Sequence, residues 1–139
     1  MEIKDIMSKS VVSVHPNESV EVAARTMTQY NIGILPVCAN GKLCGVVTDR
    51  DIVTRCLAAN RLPASTQVRQ VMTQQVTTAA PNMEIGTAAH LMGRLQIRRL
   101  PVVENGKLCG MVSLGDMAIH EETAIDAGDA LADVSSNLR

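Results

Sequence analysis

Directly after two apolar runs, a hydroxyl side chain is followed three residues later by a carboxylate, Thr48 by Asp51 and Ser113 by Asp116. This spacing is typical of a capping box, in which both side chains hydrogen-bond the backbone at the start of a helix. The same kind of helix start can direct a hydroxyl and backbone N–H groups at a phosphate, while a carboxylate accepts hydrogen bonds from ribose hydroxyls. The two interpretations are compatible, and the residues alone leave both open.

Both pairs belong to a longer internal repeat. Shifting the sequence against itself by 65 residues aligns two copies without a gap, and Asn40–Gly45 falls on the identical block Asn105–Gly110. A repeat of this kind indicates that the chain contains two copies of one structural unit. The predicted parts are a first repeat over residues 1–60, a linker over 61–67, a second repeat over 68–120 and an acidic C-terminal tail over 121–139.

Each copy predicts the order β-α-β-β-α and therefore an α+β fold. A short extended segment ends at a proline, and apolar residues then recur at helical spacing from Val20 in one copy and Ile85 in the other. Asn17 and Asn82 suit the N-caps of these helices. Asn-Gly between apolar runs predicts a two-residue hairpin turn in each copy, and a second helix follows the hydroxyl residue. Because one such unit buries little apolar surface alone, we expect the copies to pack about a pseudo-twofold axis.

The repeated motif Gly-apolar-apolar-Thr/Ser-x-x-Asp has Leu-Pro-Val upstream of it, and Asp5-Ile6-Met7 stands near the start of the chain. With these features the sequence resembles a tandem pair of cystathionine β-synthase (CBS) domains, a Bateman module, over nearly the whole chain except the acidic tail. The resemblance implies a non-catalytic regulatory module that binds AMP, ADP or ATP in clefts between the repeats. It also implies a flat homodimer paired through helices and a separate effector protein.

The resemblance implies ligand-binding roles for the motif residues. Asp51 and Asp116 would contact the ribose of a nucleotide, and Thr48 and Ser113 would contact the ribose or the phosphate. Residues of the first extended segments, Val12 to Val14 or Thr77 to Ala79, would flank the base. S-adenosylmethionine is a less favoured ligand that some members of the wider family bind.

Basic residues distinguish the two predicted clefts. Family members often place a basic residue before Leu-Pro-Val, where it reaches the phosphates. The second repeat has Arg98 and Arg99 there, and the first has Gly33-Ile34. Arg50 inside the first motif could supply a further cation. The alternative interpretations are a solvated strand end for the arginine pair and a surface ion pair with a neighbouring aspartate for Arg50. The cleft within reach of Arg98 and Arg99 is therefore favoured.

The four cysteines show no Cys-x-x-Cys spacing, and small buried strand residues are the default interpretation. A two-residue turn puts Cys38 and Cys44 on opposite faces of the first hairpin. Cys56, on a predicted helix, is the best candidate for a reactive thiol. The alternative function is accordingly a ligand-free or thiol-responsive interaction module. The histidines at 15, 90 and 120 lack metal-ligand spacing.

Composition and charge exclude several classes. The net charge is −1, Phe and Trp are absent and one Tyr is present, which disfavours nucleic-acid binding. No apolar run approaches the roughly 20 residues that span a bilayer, so we expect a cytoplasmic protein with no membrane partner. No nucleophile–base pairing, metal cluster or P-loop motif is found, which disfavours an enzyme.

In the acidic tail, Ile125, Leu131 and Val134 form a weak amphipathic pattern. Such a segment would dock on a partner subunit or remain loose.

Overall fold

The computed structural model describes residues 1–120 and 124–136, and their contacts divide the chain into two compact units. The first-repeat unit is Val12–Val76. The second-repeat unit is Met1–Val11 together with the chain from Thr77 onward. Both units combine helices with an antiparallel hairpin, which confirms the predicted α+β class.

The first-repeat unit contains helix α1 (Val20–Tyr30), strands β1 (Ile34–Ala39) and β2 (Lys42–Thr48), and the short helix α2 (Asp49–Asp51). The chain then continues from α2 as a π-helix over Ile52–Leu57, and a 3₁₀ turn follows at Val68–Gln70. Asn40 and Gly41 have φ angles of 54° and 80°, as the predicted hairpin turn requires.

The second-repeat unit repeats this order with helix α3 (Ile85–Leu95), strands β3 (Arg99–Glu104) and β4 (Lys107–Ser113), and helix α4 (Leu114–Ala118). Its 3₁₀ turn at Ile3–Asp5 is the equivalent of Val68–Gln70, and it adds a further helix, α5 (Ala124–Ser135). The predicted first strand of each repeat is reduced to a single parallel bridge, Val14 with Val37 and Ala79 with Val102.

The first helix of each repeat begins later than the sequence predicts. Asn17 lies in a turn, and the N-cap of α1 is Ser19, whose Oγ accepts a hydrogen bond from the N–H of Val22 at 3.1 Å. The N-cap of α3 is Glu84 rather than Asn82. In the first repeat, the start of α1 is fixed by a contact with a distant part of the chain, because Ser19 forms a backbone bridge with Gln67. The prediction of Asn17 and Asn82 as N-caps is therefore wrong.

Each unit takes its leading segment from the other sequence repeat. Ile3 lies in the apolar core of the second-repeat unit, and its repeat equivalent Val68 lies in the core of the first-repeat unit. Ser8 exchanges two backbone hydrogen bonds with Met111 on β4, and Thr73 does the same with Val46 on β2. The segment that contains Ser8 therefore lies beside the middle of β4, and the segment that contains Thr73 lies beside the middle of β2.

Helix α5 packs on α3 and α4 within the second-repeat unit. Its buried residues are Ala127, Ala130 and Val134, whereas Ile125 and Leu131 are exposed. The predicted apolar pattern of the tail is therefore wrong in two of its three residues, and the described part of the tail docks inside its own chain. Tail residues 121–123 and 137–139 lie outside the described part of the structure.

The contact between α3 and α5 depends on Gly93. A Cβ atom on Gly93 would lie 3.2 Å from the Cα of Ala130 and 2.9 Å from the Oδ2 of Asp133, closer than such atoms normally approach. We expect Gly93→Ala to lower the free energy of unfolding by about 1–2 kcal/mol, because overpacking outweighs the gain in helix propensity. Urea unfolding followed by circular dichroism measures this change.

Gly86 in the same helix provides the matched control. A Cβ there meets only the Oδ2 of Asp126 at 3.8 Å, an ordinary contact. Gly86→Ala should therefore raise stability by about 0.5 kcal/mol through helix propensity alone. Equal effects of the two substitutions would show that α5 does not pack closely on α3.

Candidate ligand-binding site

Both hydroxyl–carboxylate pairs form complete capping boxes. The N–H of Asp51 donates to the Oγ1 of Thr48 at 3.0 Å, and the N–H of Thr48 donates to the Oδ2 of Asp51 at 3.0 Å. Ser113 and Asp116 make the same two bonds, at 2.9 and 3.0 Å. Each bond joins one side chain to the backbone of the other residue, so one carboxylate oxygen in each pair is committed to the helix start.

The carboxylate of Asp51 has a second partner. Its Oδ1 lies 3.8 Å from the Nε of Arg55, one turn further along the chain. The Nη1 of Arg55 also donates to the carbonyls of Val71 and Met72, both at 3.2 Å. Sequence reasoning did not select Arg55, although its i,i+4 spacing from a motif aspartate is a recognisable signal. The residue at the equivalent position of the second repeat is His120.

The hairpin register brings the second-repeat arginines to the motif. Arg99 pairs directly with Ser113 across β3 and β4, and residues paired in this way have Cβ atoms about 4.5–5.5 Å apart. The carbonyl of Arg98 accepts a hydrogen bond from the N–H of Leu114 at 3.0 Å, which holds Arg98 beside the start of α4. Both arginines are exposed. In the first repeat the same places are taken by Gly33 and Ile34.

The remaining predicted residues lie as follows. Arg50 is exposed, one residue before Asp51, and its N–H donates to the Oδ1 of Asp49 at 2.8 Å. Thr77 is exposed and precedes by two residues the Ala79 that pairs in parallel with Val102, which places it toward the Arg99 end of β3. Val14 and Ala79 are buried in the two apolar cores, so these two side chains are engaged in packing.

The cysteines lie mostly in packed surroundings. Cys56 is fully buried, and its thiol donates to the carbonyl of Arg61 at 3.4 Å. Cys56 is the best candidate for a reactive thiol in the sequence, and its burial disfavours that role. A bulge between Val37 and Cys38 interrupts the side-chain alternation that was expected to separate Cys38 from Cys44.

Two strand cysteines have perturbed acidities. Burial raises the pKa of the Cys38 thiol above its ordinary value, and the neighbouring Cys44 raises this pKa further. Burial also raises the pKa of Cys109, with a contribution from the Glu104 carboxylate. Because the thiolate is the reactive form, both shifts make these thiols poorer nucleophiles at neutral pH.

Within residues 1–120 and 124–136, no group of three or more His, Cys, Asp or Glu side chains is arranged to hold a metal ion. No helix in the described part of the chain has the length and apolar character needed to cross a membrane.

Comparison with known proteins gives a consistent result. The sequence profile of the CBS domain matches twice, at residues 3–58 and 68–121. The CBS domain-containing protein YhcV of Bacillus subtilis is 41% identical over 133 residues, which cover 96% of this chain and 94% of YhcV. Hypoxic response protein 1 of Mycobacterium tuberculosis is 34% identical over 118 residues, 84% of this chain and 82% of the relative.

Solved structures agree with the sequence comparison. The crystal structure of Hypoxic Response Protein I with two coordinated zinc ions superposes with a TM-score of 0.80 at 33% identity, over 86% of this chain and 98% of the other. The CBS domain pair of protein MJ0100, in complex with 5′-methylthioadenosine and S-adenosyl-L-methionine, superposes with a TM-score of 0.75 at 31% identity. That match covers 86% of this chain and 94% of the other.

Proposed function

Because the chain belongs to the CBS domain family, we propose that it is a non-catalytic regulatory module that binds an adenine nucleotide, AMP, ADP or ATP, at the Ser113–Asp116 motif. Binding is signalled to a separate protein. The observation that carries the proposal is the pairing of Arg99 with Ser113, next to Arg98 at the start of α4. This arrangement gathers two cations, a hydroxyl and a carboxylate within one short hairpin–helix segment.

The chemistry of these groups suits a nucleotide. Guanidinium groups bind phosphate through charge-assisted hydrogen bonds, and a hydroxyl adds a further donor. Asp116 commits one carboxylate oxygen to the capping box, which leaves the second oxygen to accept hydrogen bonds from ribose hydroxyls. Thr77, toward the Arg99 end of β3, is the candidate neighbour of the base. The Thr48–Asp51 motif of the first repeat is the weaker site. Arg55 already engages Asp51, and Gly33 and Ile34 stand where the second repeat has its two arginines.

The comparisons support an adenosine ligand. The CBS domain pair of MJ0100 is a structural neighbour in complex with two adenosine compounds, 5′-methylthioadenosine and S-adenosyl-L-methionine. For this chain we favour a phosphate-bearing ligand over these two, because 5′-methylthioadenosine is uncharged and S-adenosylmethionine carries a sulfonium. The methylthio compound has no anionic group for Arg98 and Arg99, and the single carboxylate of S-adenosylmethionine is outweighed by its ammonium and sulfonium, whereas a phosphate is a strong guanidinium partner.

Calorimetric titration with adenosine, AMP, ADP, ATP and S-adenosylmethionine tests the proposal. We expect the double substitution Arg98→Gln, Arg99→Gln to lower AMP affinity about tenfold while leaving adenosine affinity unchanged, since two exposed phosphate contacts contribute about 1.4 kcal/mol together. Lys107→Gln, at the opposite end of the same hairpin, is the control and should bind AMP normally. An unchanged AMP affinity in the double variant would rule out the arginines as phosphate ligands.

The complete capping boxes favour one alternative, a ligand-free interaction module in which both motifs only stabilise helix starts. A thiol-responsive version is less well supported, because Cys56 is buried and the pKa values of Cys38 and Cys109 are raised. Absence of heat and of any thermal shift with all five ligands would favour this alternative over nucleotide binding.

A further inference from the structure

Both hairpin turns consist of the same two residues, Asn40–Gly41 in the first repeat and Asn105–Gly106 in the second, and all four residues are exposed. An asparagine followed by glycine can lose its side-chain amide without an enzyme, because glycine has no side chain to obstruct attack by its backbone nitrogen on the asparagine Cγ. The other five asparagines of the sequence precede residues with larger side chains. The two turns are therefore the candidate sites for this modification.

The structure leaves the reacting groups of both turns free. Within residues 1–120 and 124–136, no hydrogen bond involves the side chain of Asn40 or Asn105, and none is donated by the backbone N–H of Gly41 or Gly106. A Cβ atom on either glycine would meet nothing within 4 Å. Neighbouring groups therefore do not hold the amide or the attacking nitrogen in place, and water has access to both.

The reaction is a ring closure followed by hydrolysis. The backbone nitrogen of Gly41 loses its proton and forms a bond to the Cγ of Asn40. The bond from Cγ to the side-chain nitrogen breaks as that nitrogen takes up a proton and leaves as ammonia. Water then opens the resulting succinimide at either carbonyl. Opening at Cγ gives aspartate, and opening at the backbone carbonyl gives isoaspartate, whose main chain continues through Cβ and Cγ.

The folded turn limits the rate of this reaction. Asn40 and Asn105 both have a φ of 54° in the hairpin turn. The backbone of the asparagine must rotate out of this conformation before its Cγ can approach the glycine nitrogen, and this rotation requires the tip of the hairpin to open. The rate therefore depends on how firmly the residues on either side of the turn are paired.

The two hairpins differ in the pair of residues that closes the turn. Glu104 pairs with Lys107 in the second repeat, whereas Ala39 pairs with Lys42 in the first. Opposite charges directly across two strands stabilise a pair relative to one that contains alanine. The six residues from each asparagine onward are identical in the two repeats. The closing pair is therefore the local difference, and it favours opening of the first turn.

We propose that Asn40–Gly41 is a site of spontaneous isoaspartate formation and that it reacts faster than Asn105–Gly106. Aspartate at this position would preserve the hairpin, because Asp-Gly is also a favoured two-residue turn. Isoaspartate would lengthen the turn by one main-chain atom, so that the turn no longer matches the register of β1 and β2. This product is a substrate for the class of carboxyl methyltransferases that methylate isoaspartate with S-adenosylmethionine. The modification does not depend on nucleotide binding.

Ageing of the purified full-length protein at mildly alkaline pH, followed by peptide mass spectrometry, tests the proposal. Cleavage after lysine and arginine places the two asparagines in separate peptides, 26–42 and 100–107. In the folded protein, we expect isoaspartate to form about two- to threefold faster in the first peptide than in the second. In urea the two rates should converge, because the closing pairs are then absent. Methyl transfer by an isoaspartyl methyltransferase measures the isoaspartate independently.

Two variants serve as matched controls. Glu104→Ala gives the second hairpin the closing pair of the first, and it should raise the rate at Asn105 to that at Asn40. Asn40→Gly keeps a favoured turn, since Gly-Gly also suits two-residue hairpins, and it should abolish isoaspartate formation in the first turn. Circular dichroism verifies that both variants fold.

Three results would overturn the proposal. The first is absence of isoaspartate at Asn40 after the folded protein has aged for as long as the urea-unfolded protein needs to form it. The second is an equal or faster rate at Asn105 in the folded wild-type protein. The third is an unchanged rate at Asn105 in Glu104→Ala, which would show that the closing pair does not control opening of the turn.

Discussion

Replacing Gly45 or Gly110 by alanine is expected to lower the free energy of unfolding by about 2–4 kcal/mol. A Cβ on Gly110 would lie 2.9 Å from the carbonyl oxygen of Ser8 and 2.7 Å from the Sδ of Met7. A Cβ on Gly45 would meet the carbonyl of Thr73 still more closely, with the carbonyl carbon at 3.3 Å.

The cost is high because the obstructing atoms belong to backbone that is already hydrogen-bonded. Ser8 and Thr73 each exchange two hydrogen bonds with the residue after the glycine, at 2.8 and 3.0 Å. An added methyl group must therefore displace a paired segment rather than a flexible side chain. We expect Gly45→Ala to be the more damaging of the two, since a methionine side chain can relieve part of the contact at Gly110.

Urea unfolding monitored by circular dichroism measures both effects. Gly115→Ala serves as the control, because a Cβ there would meet only the Oγ of Ser113 at 3.5 Å, an ordinary contact. Helix propensity should make that variant neutral or more stable by about 0.5 kcal/mol. A wild-type unfolding midpoint for Gly45→Ala would contradict the close crossing at this strand.

Asp116→Asn is expected to lower nucleotide affinity about 100-fold, because a carboxylate that accepts ribose hydroxyls contributes through charge-assisted hydrogen bonds of about 1.5–3 kcal/mol. The asparagine keeps one side-chain oxygen, which can still accept from the N–H of Ser113 as Asp116 does at 2.9 Å. Stability should therefore change by less than about 0.5 kcal/mol, which separates ligand binding from helix capping. Calorimetric titration with AMP and urea unfolding measure the two effects.

Two further variants complete this experiment. Asp51→Asn, the same change in the first repeat, should leave affinity at the second-repeat site unchanged. Asp116→Ala should lose both nucleotide affinity and about 1 kcal/mol of stability, because alanine also removes the acceptor for the N–H of Ser113 and leaves only half of the capping box. Unchanged affinity in Asp116→Asn, combined with a stability loss in Asp116→Ala, would assign Asp116 to capping alone and support the ligand-free alternative.

Local signals in the sequence predicted much of the fold. Asn-Gly between apolar runs requires positive φ at two consecutive residues, and both hairpin turns adopt it. The hydroxyl–carboxylate spacing predicted two capping boxes, and both form. The position of Arg99 beside Ser113 follows from the same hairpin register. These features depend on residues close together in the sequence, so a single chain is enough to find them.

Other features depend on distant contacts that no local pattern contains. The start of α1 at Val20 is fixed by a bridge between Ser19 and Gln67. The buried side of α5 consists mainly of alanine, which is only weakly hydrophobic. The hydrophobic pattern of the sequence is therefore set largely by Ile125 and Leu131, and these two residues are exposed. Burial of Cys56 follows from packing in the first-repeat core.

The exchange of leading segments has a consequence during synthesis on the ribosome. Residues 12–76 form one compact unit, so this part can fold as soon as it has emerged. Met1–Val11 emerges before this unit yet belongs to the unit that begins again at Thr77, and Ser8 must wait for Met111 before it can pair. Met1–Val11 is therefore synthesised before the first-repeat unit but can pack only after β4 of the second-repeat unit has emerged. A gene fragment cut between the sequence repeats would encode a second half without the Met7–Ser8 segment that packs over Gly110.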